Sequence, residues 1–156
     1  MTMRALIGFS LLLLSATTAR ADEVPFHMEL SGYPHISATL NPCLLKNYPT
    51  ASGIASEMGN VSFTADENIN LCTLPNQIDS DYVLTNGAGH TVYGHIHVVQ
   101  TVNLPQIAFV YVGTFTIAGG TGEFIGATGG GSYTVTFRLI GPPLFAEIVG
   151  DGVIDY

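Results

Sequence analysis

The sequence predicts an all-β fold, a barrel or sandwich of about eight short strands. Three observations lead there. Apolar and polar residues alternate in short segments, few stretches carry a helical period, and the segments are punctuated by Gly, Asn, Asp and Pro.

The first alternating segment in chain order is ISATL from Ile36, and the span from Pro42 to Pro49 reads as an irregular loop that Cys43 would pin. NVSFTA from Asn60, DYVLT from Asp81, TVYGHIHVVQTV from Thr91, IAFVYVGTFTI from Ile107 and SYTVTFRLI from Ser132 are the clearest strands. FAEIV from Phe145 and the terminal GVIDY complete the series. Asn86-Gly87 and Gly89 supply residues that tolerate positive φ in a hairpin. Pro105 interrupts what would otherwise be one very long strand, and Pro142-Pro143 separates the last strand pairs, because proline cannot donate to a ladder.

From Gly113 to Phe137 the chain reads GTFTIAGGTGEFIGATGGGSYTVTF. A dinucleotide loop needs G-x-G-x-x-G at the opening of a helix, whereas Gly120-Thr121-Gly122 is followed by Glu123-Phe124-Ile125 before Gly126, with no helical period after it. No Lys-Ser or Lys-Thr pair follows either, which excludes a kinase-like phosphate loop. These glycines read as sharp strand bends and positive-φ turns, with Gly120 and Gly122 required by backbone geometry.

The N-terminal residues set the expected compartment. Arg4 precedes the apolar run ALIGFSLLLL, and Ala19-Arg20-Ala21 is a small-x-small cleavage pattern, so residues 1–21 read as a signal peptide and 22–156 as one domain. A secreted or periplasmic protein is expected. No other segment approaches the roughly 20 apolar residues of a membrane span. Cleavage would leave Lys46 and Arg138 against twelve acidic residues, a net charge of 2 − 12 = −10. Such a chain repels nucleic acid and anionic membrane surfaces, so neither is an expected partner. Cys43 and Cys72, the only cysteines, are expected to form a disulfide in an oxidising compartment. Neither lies in a CxxC motif or beside a basic residue that would activate it.

Phe115-Thr116-Ile117, Gly119-Gly120-Thr121-Gly122, Phe124, Gly126-Ala127-Thr128-Gly129 and Gly131-Ser132-Tyr133 resemble the G-G-T-G-x-F-x-G-A-x-G signature of the allene oxide cyclase-like and dirigent-like β-barrels, in particular their small secreted bacterial branch. The stretch from Gly53 to Val61 and the hairpin from Tyr82 to Gly94 agree with that pattern. The resemblance runs from about Gly53 onward and implies an eight-stranded antiparallel, calycin-like barrel. In the plant members the barrel encloses an apolar cavity and serves cyclisation of a fatty-acid epoxide or coupling of phenolic radicals, in dimers or trimers. One position departs from the signature: Glu123 stands where a basic residue is usual.

Several residues carry candidate chemistry. His95 and His97 share one strand face, where they could bind a metal, move protons or form a polar surface. No third ligand at a recognised spacing accompanies them, so no metal is assigned, and no cofactor. Arg138 shares a face with Thr134 and Thr136 and would orient a ligand carboxylate if that face lined the barrel, or pair with a surface acid otherwise. Glu57 is either an interior acid or a solvated turn residue. Asp66-Glu67-Asn68-Ile69-Asn70 opens like a calcium loop, but Leu71 stands where glycine is needed and Gln77 where a bidentate acid is needed.

Two functions of different kinds follow. The first is a barrel that binds a small apolar, lipid-like or aromatic molecule, with Tyr111, Phe115, Phe124, Tyr133 and Phe137 forming much of its interior or an oligomer interface. The second is an isomerase or cyclase acting by confinement, assisted by His95, His97, Glu57 or Arg138. A structural or interaction domain is the third. Strand residues 91–117 are apolar on both faces, as expected where a homodimer or trimer covers the outer wall.

Overall fold

A computed structural model describes residues 23–104, 107–139 and 144–156. The expected signal peptide, Pro105 and Pro142-Pro143 lie outside the described residues. The described residues form ten strands: β1 (Val24–Tyr33), β2 (Ile36–Ala38), β3 (Leu44–Asn47), β4 (Thr50–Ala55), β5 (Gly59–Asn70), β6 (Gln77–Asn86), β7 (Thr91–Leu104), β8 (Ala108–Gly120), β9 (Thr128–Arg138) and β10 (Phe145–Asp155). All pairings are antiparallel, and the sheet order β5-β4-β1-β10-β9-β8-β7-β6 closes through β5–β6 into an eight-stranded barrel. Among the described residues no helix is long and apolar enough to cross a membrane.

The two extra strands extend their neighbours. β3 pairs with the second half of β5 and β4 with the first half, while β2 pairs with β3 as β1 pairs with β4. One long hairpin is therefore broken twice, at Pro34 and Pro49, where no N–H is available for the ladder. The break is bridged by Tyr48 N–H donating to the His35 carbonyl at 3.2 Å and by His35 N–H donating to Asn47 Oδ1 at 2.7 Å. Part of the expected Pro42–Pro49 loop is thus strand, and β1 and β4 occupy residues that the sequence reading had not placed.

Alternation decides which side chains face inward. Phe26, Met28 and Leu30 of β1, Val61 and Phe63 of β5, Tyr82 and Leu84 of β6, Val92, Ile96 and Val98 of β7, and Tyr133, Val135 and Phe137 of β9 are buried. Their strand neighbours face out. The barrel is filled by interdigitation: aromatic residues such as Phe26 and Phe115, 6.0 Å apart, lie among inward glycines of other strands. The side chain of Met28 occupies the space a Cβ on Gly150 would need, which is how FAEIV and GVIDY join into one continuous β10.

The glycine-rich stretch resolves into two roles. Gly122, at φ +65°, turns the chain into the short 3-10 segment Gly122–Phe124. Gly129 and Gly130, at φ +146° and +152°, belong to β9, which starts four residues earlier than the alternation implied. Gly120 does not adopt positive φ; it is required because a Cβ there would strike the Phe124 and Thr91 carbonyls.

One barrel end is closed. Phe124 is wholly buried and packed 5.0 Å from the ring of Tyr156, whose hydroxyl donates to Glu57 in the turn that carries Met58. The other end carries the β2–β3 and β5–β6 connections. Cys43 and Cys72 join them in a disulfide with a Cα–Cα distance of 5.0 Å.

Candidate binding site at the open end of the barrel

The site begins with inward residues near the ends of strands. Leu45 of β3 lies opposite Ile69 of β5, and Tyr111 of β8 meets Phe137 of β9 edge-on, with ring centroids 5.9 Å apart. With Ile36, Phe109 and Leu144 they wall a cavity of about 280 Å³, and the amides of Asn76, Gln100 and Asn103 supply its polar groups. Large buried side chains such as Phe26, Phe63, Tyr82 and Phe115 fill the middle of the barrel, and the cavity lies at this mouth. A larger depression of about 550 Å³ lies on the outer wall among Asp66, Asp81, Tyr93 and His95. The mouth is the stronger candidate, since its lining converges from distant parts of the chain on a deeper, mainly apolar recess than the outer-wall depression.

Below that lining lies an acid. The inward register of β5, Val61-Phe63-Ala65-Glu67-Ile69, places Glu67 one step deeper than Ile69, and Asn47 lies opposite it on β3. Asn47 Nδ2 donates to Glu67 Oε2 at 2.6 Å, and the same side chain caps His35, so the prolines that break the hairpin also position the acid's partner. Glu67 is 6% exposed. Burial pushes its pKa from 4.5 up to about 7, against a smaller lowering by the Asn47 hydrogen bond. Tyr133 and Tyr111 feel the Glu67 charge, and burial raises both phenols above their ordinary value. Tyr82, deeper in the barrel, satisfies its hydroxyl on the Thr116 carbonyl at 3.1 Å.

The residues singled out from sequence are dispersed. Tyr111 and Phe137 line the mouth, Tyr133 lies beneath it, Phe115 packs in mid-barrel against Phe26, and Phe124 plugs the far end. His95 and His97 face out, each about half exposed, with Nδ1 atoms 3.0 Å from Asp81 and 2.7 Å from Asp79. Among the described residues no group of three or more His, Cys, Asp or Glu side chains forms a metal site. Arg138 also faces out, with Nε donating to Glu147 Oε2 at 2.8 Å, so it presents no guanidinium to the interior. Glu57 is an exposed turn residue at φ +66° that accepts from the Tyr156 hydroxyl at 3.0 Å. The interior acid is Glu67 instead. Its signal was a carboxylate in the inward register of an otherwise apolar strand.

Fold and site define a closed eight-stranded antiparallel barrel, capped at one end and carrying an apolar cavity over a buried acid at the other. Among solved structures it is similar to that of a pterocarpan synthase dirigent protein, with 15% identity, a TM-score of 0.51, and coverage of 86% of this chain and 87% of that one. At that identity the likeness is one of fold. No family model and no curated protein matches the sequence.

Proposed function

We propose that this protein is an exported binding protein for a small, mainly apolar molecule held in the mouth of the barrel. The carrying observation is the 280 Å³ cavity walled by Tyr111, Phe137, Ile69 and Leu45, with the hydrogen-bonded Glu67–Asn47 pair one inward step deeper than Ile69 and Leu45. Aromatic and aliphatic walls with a few convergent polar groups are the usual make-up of a ligand site. The disulfide fixes two of the connections that frame it. Export is supported by that bond and by the cleavage pattern at Ala21; a mature protein starting at Asp22 in the periplasm or medium would test it. Saturable displacement of an environment-sensitive dye by apolar and aromatic compounds, with micromolar affinity of roughly −8 kcal/mol, tests the binding. Ile69→Trp, which fills the mouth, should abolish displacement in a folded protein. Retained binding in that variant would refute the location.

A second reading, an isomerase or cyclase that confines a reactive apolar substrate, is favoured by Glu67. A carboxyl titrating near neutrality beside an apolar cavity is suited to proton transfer. Turnover whose pH dependence near 7 disappears in Glu67→Gln would support it. Assembly into a dimer or trimer through outer-wall residues such as Ile54, Tyr93 and Val112, each more than a third exposed, is testable by native mass spectrometry.

A further inference from the structure

The electrostatics of the barrel interior are one-sided. Glu67 is the one charged residue buried among the described residues. Both cations of residues 23–156 lie on the outer wall and are engaged there, Lys46 with Asp66 at 2.6 Å and Arg138 with Glu147. The polar groups at the mouth, Asn76, Gln100 and Asn103, are neutral amides. A carboxylate-headed ligand entering this cavity meets a like charge one inward step beyond Ile69, close enough to act on the lining Tyr111, and no counter-charge on the walls. It must also approach a chain with far more acids than bases. A cationic head group meets the reverse: an acidic exterior that steers it in, and a buried carboxylate whose ionised form lacks a positive partner.

From this arrangement we infer that the mouth cavity is a site for small apolar amines, with the hydrocarbon part against Tyr111, Phe137 and Ile69 and the ammonium group directed to Glu67. The inference rests on the reading of the cavity as a ligand site and adds the chemical class of ligand. The volume sets the size, at about nine water-sized units of roughly 30 Å³ each, enough for a small alkylamine that carries a bicyclic aromatic ring. The groups that face Glu67 are Asn47 from β3, Ser80 from β6, Tyr111 from β8 and Tyr133 from β9. Of these only the two tyrosines titrate, and both are neutral at physiological pH. An arylmethylammonium, about a unit more acidic than a lysine, keeps its charge to about pH 9. Amine binding therefore strengthens as the pH rises and Glu67 ionises.

Three probes that share one skeleton separate the possibilities: 1-naphthylmethylamine, 1-naphthylmethanol and 1-naphthylacetate, titrated calorimetrically into the folded, disulfide-bonded protein. At about pH 8 the amine should bind the wild type at least about tenfold more tightly than the alcohol, with the carboxylate weakest. In Glu67→Gln, which keeps the side chain's shape, the amine should fall to within about threefold of the alcohol measured on the same variant. Lowering the pH of the wild type to about 5 should erase the preference in the same way, an arm that needs no variant. Equal binding of amine and alcohol by the wild type, or a preference that survives at low pH or in Glu67→Gln, overturns the inference and leaves the cavity reading standing. Failure of all three probes to bind overturns both.

Discussion

Replacing Glu67 by Gln should make the protein more stable at neutral pH and leave it unchanged in acid. Glutamine keeps the size of the side chain and can still engage Asn47, while the ionisation disappears. In the wild type the folded protein holds the Glu67 proton up to about pH 7, whereas the unfolded chain releases it near 4.5. Below about pH 4.5 both states are protonated and the residue imposes no penalty. Above that the unfolded state gains by ionising while the folded state does not, so stability falls until Glu67 ionises in place near pH 7, and is flat beyond. A shift from 4.5 to about 7, at 1.36 kcal/mol per unit, amounts to about 3 kcal/mol. Urea denaturation of both proteins at steps between about pH 4 and 8 measures it. The difference between the curves isolates Glu67, because His27, raised chiefly by its hydrogen bond to Asp151, titrates alike in both. The two stabilities should diverge by about 3 kcal/mol across that range, roughly 10 °C in melting temperature. Curves that stay parallel would show that the carboxyl is not buried as described, and would remove the acid from the site.

Further outcomes follow from other parts of the barrel. Phe124→Ala should cost about 3–5 kcal/mol by thermal or chemical denaturation, since it empties the fully buried plug against Tyr156. Cys43→Ser with Cys72→Ser should lower stability by about 2–4 kcal/mol, and thiol titration of the oxidised wild type under denaturing conditions should find no free thiol. Alanine at His95, His97 or Arg138 should leave small-molecule affinity within about twofold of wild type, because all three side chains lie on the outer wall.

The strands from Asn60 onward were legible because their inward residues are large and apolar and their outward ones polar. β1 was equally legible in principle, with Phe26, Met28 and Leu30 alternating against His27, Glu29 and Ser31, yet it lies upstream of the glycine signature and was left unplaced. β3 and β4 gave a weak signal, being short, broken by Pro49 and, in β4, built from small residues. The single strand β10 reads as two because Gly150 and Gly152 look like a turn when their packing partners on the flanking strands β1 and β9 cannot be seen. Histidines drew attention in β7 by residue type, and only the closed barrel shows that Val92, Ile96 and Val98 take the inner face and leave His95 and His97 outside. Glu67 was visible only within an incomplete calcium-like run. Its role depends on Asn47 and Tyr133, twenty and sixty-six positions away, which no local pattern brings together.

Around the barrel every neighbouring pair is joined by a nearby connection except one, β1 with β10, whose register sets Val24 beside Ile154, 154 − 24 = 130 positions apart. Chain-closure entropy makes that pairing the most costly to form, so a meander of β1–β9 with β10 added along β9 can assemble before the seam shuts. Until then β1 and β10 each present a free edge whose proper complement is the other. In a concentrated solution the complement can come from a second copy, with β1 of one molecule laid against β10 of another. The seam therefore makes reciprocal strand exchange the characteristic misassembly of this chain, favoured by any change that slows closure and suppressed by joining the two edge strands covalently.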